Sequence, residues 1–90
     1  MPTVKFTHAL NRFFPELRDT PAKGATLTEI LSEIESCYPG VRSYLLDDQG
    51  RLRQHINIFI DGTMIRDCRV LSDSFSKNSE IYIIQALSGG

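Results

Sequence analysis

Ninety residues suit one compact domain with a single small core. A net charge of −1, with acidic and basic residues dispersed, argues against non-specific binding to nucleic acid or an anionic membrane surface. No stretch approaches the roughly 20 apolar residues of a membrane span and the N-terminus lacks a signal-peptide core, so the expected location is the cytosol.

Thr3-Val4-Lys5-Phe6-Thr7 alternates apolar and polar residues and predicts a short, half-buried strand. His8–Pro15 breaks that period and reads as a loop or irregular turn carrying Leu10, Phe13 and Phe14. A weak second strand is expected within Leu17–Ala22, at an edge or strand end, because Pro21 cannot donate to a ladder. Thr26 followed by Glu29 is a capping box, and Leu27, Ile30, Leu31 and Ile34 then repeat on one helical face. Pro39-Gly40 stops this helix. Cys37, close to the apolar stripe, is expected to be a buried structural thiol.

Val41–Leu46 predicts a short helical turn, ended by Asp47-Asp48-Gln49-Gly50. The strongest strand signal runs from Leu52 to Asp61. Leu52, Ile56, Ile58 and Ile60 share one parity; Arg53, His55, Asn57, Phe59 and Asp61 share the other. Asp61-Gly62 is a preferred two-residue hairpin turn, returning into Thr63–Ile65. Val70–Phe75 predicts one helical turn. The last strand, Glu80–Ala86, turns Ile81 and Ile83 inward and Tyr82 and Ile84 outward. The sequence then closes on Leu87-Ser88-Gly89-Gly90. A mixed sheet packed on one main helix is a two-layer α+β arrangement, here the β-grasp, with residues 1–86 as the domain and 87–90 as a flexible diglycine tail.

Cys37 and Cys68 lack CxxC spacing, and neither His8 nor His55 stands at ligand spacing from them, so no metal site is expected. In a reducing compartment both thiols are expected to be free, a disulfide between them being the alternative.

Several segments together resemble the small ubiquitin-like sulfur carriers of the MoaD/ThiS family. They are Val4-Lys5-Phe6, Thr26-Leu27-Thr28-Glu29-Ile30-Leu31, Asn57-Ile58-Phe59-Ile60-Asp61-Gly62 and the tail Ile83-Ile84-Gln85-Ala86-Leu87-Ser88-Gly89-Gly90. They follow the family order over nearly the whole chain. Within the family, Arg51–Phe59 resembles most the carriers that serve cysteine synthesis (CysO-like) or other thiometabolite pathways. Where the family often has Gly-Asp before the last strand, Asn78-Ser79 stands here, and asparagine is expected to supply the left-handed backbone that keeps the turn.

The resemblance implies that Gly90 carries the chemistry. An adenylating enzyme of the ubiquitin-activating type would activate its carboxylate with ATP and Mg, a sulfurtransferase would supply sulfur, and the resulting thiocarboxylate would feed a sulfur-accepting enzyme such as a pyridoxal-phosphate cysteine synthase. No cofactor is expected to be bound, and the chain would be a protein co-substrate rather than an enzyme. With the sequence ending at Gly90, no protease is expected to be needed to expose the glycine.

Gly89 and Gly90, lacking Cβ, could enter a narrow partner channel, with Leu87 and Ser88 as the tether. An ordinary frayed terminus is the competing reading. A chance terminal Gly pair occurs about once in 200 chains, so the matching fold, not the pair alone, favours function.

An apolar group is expected on the outer sheet face, where the resemblance implies docking of the activating enzyme: Phe59, Ile84 and, across the hairpin, Met64. Its bland alternative is that loops cover these side chains or that they are scattered singly. Arg53, with Arg51 and His55, is expected beside that face, where it could steer an acidic partner surface or simply line a solvated edge. Neither His55 nor Cys68 shows a sequence context for catalysis. Alternatives to the carrier are the small subunit of molybdopterin synthase, a ubiquitin-like protein modifier, and an interaction module whose tail has no chemistry.

Overall fold

The computed structural model describes residues 1–86. Strand β1 (Thr3–Phe6) leads into a 3-10 turn over His8–Arg12, then a two-residue edge strand β2 (Thr20–Pro21). Helices α1 (Leu27–Cys37) and α2 (Val41–Leu45) follow, then β3 (Ile56–Ile60), β4 (Thr63–Met64) and β5 (Glu80–Gln85). The sheet order is β2-β1-β5-β3-β4. The last strand is therefore central, parallel to β1 and antiparallel to β3. This is the β-grasp arrangement, with α1 covering one face.

Local chemistry fixes both ends of α1. The Thr26 hydroxyl accepts from the Glu29 N–H at 3.1 Å. The Glu29 carboxylate reaches back to the Ala25 N–H at 2.8 Å, one residue short of the usual box partner. Glu33 accepts from the N–H groups of Lys23 and Gly24, so the incoming loop is held against the helix. At the other end Glu35 takes the N–H groups of Gly40 and Arg42, both at 2.9 Å, which stitches α1 to α2. Leu27, Ile30, Leu31 and Ile34 are all buried against Val4, Ile56, Ile58, Ile81 and Ile83 of the sheet. Asp61 and Gly62 have φ of 50° and 87°, the pair of positive values that a two-residue hairpin turn between right-twisted strands requires.

Four expectations are corrected. The strand expected from Leu52 begins only at Ile56: Leu52 makes an isolated bridge to Leu46, and the Ile56 N–H turns back to the Arg53 carbonyl. Val70–Phe75 is not helical. The Asp67 carboxylate instead captures the N–H groups of Arg69, Val70 and Ser72, and Leu71 is buried with φ of 59°. Cys37 is exposed, because it falls in the last turn of α1, beyond the part that the sheet covers. Finally, the turn before β5 does form, but Asn78 is not left-handed there; the Ser79 N–H donates to the Ser76 carbonyl, and the Ser79 hydroxyl accepts from the Ser76 N–H.

Candidate functional site: the outer sheet face and the root of the C-terminus

Alternation in β5 and β3 builds the outer face. Ile81 and Ile83 are buried, which forces Tyr82 and Ile84 to the side away from α1. Register then sets the neighbours: Tyr82 lies opposite Lys5 on β1 and Phe59 on β3, Phe59 opposite Met64 on β4, and Ile84 opposite Asn57. A row Lys5–Tyr82–Phe59–Met64 thus crosses the sheet, with Ile84 one step nearer the C-terminus. Met64 is 52% and Tyr82 40% exposed, while Phe59 and Ile84 are half-buried beside them. Phe59, Tyr82, Ile84, Glu80 and Gly62 line one shallow concavity.

The rim of this patch is polar. Lys5 pairs with Glu80, whose partnership raises the Lys5 pKa, but both side chains are well exposed and the pair contributes little to stability. Asp61 accepts from the Glu80 N–H at 2.9 Å and the Ser79 hydroxyl at 2.7 Å, and these bonds lower its pKa. An apolar centre with a charged margin has the makeup of a protein-docking patch.

Phe59, Ile84 and Met64 are thus brought together, and Tyr82 joins them. Its outward parity was legible; only the pairing with Phe59 shows that it fills the centre. Arg53 is not part of this row. It precedes β3, in the turn, so strand parity does not extend to it, and its guanidinium donates to the Ser43 carbonyl at 3.2 Å. With Arg51, His55 and Arg69 it lines a separate basic depression, and Arg69 had no sequence signal to mark it.

The two surfaces meet at the root of the tail. The Ala86 N–H donates to the His55 carbonyl at 2.8 Å. The His55 ring meets Tyr44 edge-on, with centroids 5.8 Å apart, and Tyr44 contacts Phe13 and Phe14 in turn. Leu87, Ser88, Gly89 and Gly90 lie outside the described residues.

The ThiS family profile matches residues 4–90. This chain belongs to the ThiS family. Over 75 residues the ThiS-family chain is 27% identical to the sulfur carrier protein CysO of Mycobacterium tuberculosis, covering 81% of each chain. Its fold is similar to that of CysO in the Amycolatopsis orientalis BexX/CysO complex, with a TM-score of 0.83 and 25% identity over the full length of both chains. It is also similar to small archaeal modifier protein 1 of Methanosarcina acetivorans, with a TM-score of 0.77 and 25% identity over 99% of this chain and 95% of that one. Ubiquitin-like relatives of this kind support the β-grasp assignment independently of the strand register.

Proposed function

We propose that this protein is a sulfur carrier that works through its C-terminus. The observation that carries this reading is the position of β5. It is the central strand, held on both sides, and it runs directly into Leu87-Ser88-Gly89-Gly90. Similarity to proteins named as sulfur carriers supports the same reading.

A carboxylate is a poor electrophile. In the proposed sequence a Gly90 oxygen attacks the α-phosphorus of ATP on an adenylating enzyme of the ubiquitin-activating type, and pyrophosphate leaves. Hydrosulfide delivered by a sulfurtransferase then displaces AMP from the acyl carbon, so that one carboxylate oxygen is exchanged for sulfur. The thiocarboxylate is the form that donates sulfur to a biosynthetic acceptor, for cysteine or a related thiometabolite. The chain contributes the reacting group and its presentation, and the partners contribute the catalysis. Phe59, Tyr82, Ile84 and Met64 would seat the activating enzyme, with Leu87, Ser88 and Gly89 threading Gly90 into its active site. Similarity to a CysO crystallised with BexX is in keeping with a role exercised in complex with another protein.

ATP–pyrophosphate exchange with an adenylating enzyme of this type tests the first step. Exchange that depends on the full chain and vanishes when Gly89-Gly90 is deleted supports the proposal. Equal exchange with the deleted chain would remove Gly90 from the chemistry. A second reading, a modifier joined to other proteins through Gly90, draws on the similarity to small archaeal modifier protein 1. Covalent adducts of this chain on lysines of other proteins would favour it.

A further inference from the structure

The backbone of β1 runs out before that of β5 does. The Thr7 N–H donates to the Ile83 carbonyl at 3.1 Å, and among the described residues this is the last main-chain bond between the two strands. There the chain turns away into the 3-10 segment, whose Leu10 N–H bonds the Thr7 carbonyl at 3.1 Å. The next β5 amide on that side belongs to Gln85 and has no backbone acceptor left to meet. It donates to the Thr7 hydroxyl instead, at 3.2 Å. On the opposite side the Ala86 N–H is held by the His55 carbonyl. Consecutive amides of an extended chain point to opposite sides, so a hydroxyl from one flank and a carbonyl from the other hold the last residues before the tail.

We infer that Thr7 is a positioning residue for the reaction at Gly90, which fixes where the tail begins; this rests on the carrier reading above. Four residues beyond Ala86 span at most about 14 Å however they are arranged. Without the Thr7 hydroxyl the hold becomes one-sided: the Gln85 N–H loses its partner, Ala86 keeps only its bond to the His55 carbonyl, and the root of the tail loosens. The volume open to Gly90 then grows, while the side chains that line the outer concavity are the same. Docking affinity should be preserved and the productive fraction of docked complexes should fall. Thr7 is not among the residues that line the concavity of the outer face, so its effect would travel through the root.

Two readouts on the full-length chain test this, using Thr7→Val, Thr7→Ala and Thr7→Ser. Amide hydrogen exchange should show Gln85 exchanging roughly three- to tenfold faster in the Val and Ala variants, the span a single neutral hydrogen bond commands. Ile81 and Ile83 should be unchanged, and Ser should restore protection. In pyrophosphate exchange with an adenylating enzyme of the ubiquitin-activating type, kcat should fall by a similar factor at unchanged KM, again with rescue by Ser.

Unchanged Gln85 protection in Thr7→Val and Thr7→Ala would overturn the inference, because the hydroxyl would not be holding the strand. Faster Gln85 exchange with an unaltered kcat would overturn it too, since the root would then not position the tail. A kcat loss that Ser does not rescue counts against it as well. A wild-type chain that supports no exchange at all would instead overturn the carrier reading, and the amide measurement keeps the two failures distinguishable.

Discussion

Ile83 and Ile84 are neighbours in the chain and opposites in the fold, which makes them a paired test of the whole arrangement. Ile83 has no exposed surface and lies between Ile58 of β3 and Phe6 of β1. Truncating it to Ala removes three carbons, about 2.4 kcal/mol of transfer energy at about 0.8 kcal/mol each. The cavity left behind raises the cost to about 3–4 kcal/mol. A domain of this size has a total stability on the order of 5–10 kcal/mol, so the variant should still fold but melt about 12–30 °C lower. Ile84→Ala removes the same atoms from a half-buried position on the outer face. There the cost should be about 1 kcal/mol, a drop of about 4–8 °C.

Function should invert the ranking. At a temperature where both variants are folded, Ile83→Ala should be activated nearly as wild type. Ile84→Ala should lose about tenfold in kcat/KM, mostly through KM, because it removes part of the proposed docking patch. Thermal melts followed by circular dichroism, together with activation kinetics, read both quantities. Equal melting losses at the two positions would refute the β5 register, since a slip by one residue exchanges its faces. Equal activation would refute the outer face as the docking surface.

Gly24 lies so close to α1 that a Cβ there would meet the Glu29 Cβ at 2.7 Å and the Ile30 backbone nitrogen at 2.9 Å. Gly24→Ala should therefore shift the helix start and cost about 1–3 kcal/mol in urea unfolding, and an unchanged midpoint would contradict that approach. The Asp67 carboxylate accepts from the Ser72 hydroxyl first and then from backbone N–H groups led by that of Val70, and its pKa is held well below the ordinary aspartate value. A folded pKa below the unfolded one stabilises the loop above about pH 4, and the stabilisation is lost as pH falls through the folded value. NMR titration should find the amides of Val70 and Ser72 unmoved through the pH range in which a free aspartate titrates; movement with an ordinary aspartate midpoint would refute the capture of those amides.

What the sequence made legible was what local chemistry decides alone. Thr26 and Glu29 marked the helix start, Asp61-Gly62 marked the hairpin, and parity separated Ile81 and Ile83 from Tyr82 and Ile84. Each signal needs only a few consecutive residues and the period of the element. The misreadings arose where a side chain took over the backbone or where the chain left its period. Val70–Phe75 has apolar spacing compatible with a helical turn, but the Asp67 carboxylate satisfies the N–H groups that such a turn would leave open. Leu52 shares parity with Ile56 only by coincidence, since the intervening turn breaks the strand, and Arg53 was misplaced by the same extrapolation. Parity turns Tyr82 outward without marking it as the centre of the face, and Thr7 carries no periodic mark of its role. The first becomes central through its cross-strand neighbours and the second through a donor at the far end of the chain, the Gln85 N–H, contacts that exist only once the strands of the sheet are paired.

The central claim is that Gly90 is converted from carboxylate to thiocarboxylate, and intact-protein mass spectrometry reads this directly. The chain would be incubated with an adenylating enzyme of the ubiquitin-activating type, ATP, Mg and a sulfur source. The account predicts a mass gain equal to the exchange of one oxygen for sulfur, localised to the C-terminal peptide and absent from a chain lacking Gly90. A chain that is adenylated yet never gains sulfur, or that gains it equally without Gly90, would contradict it.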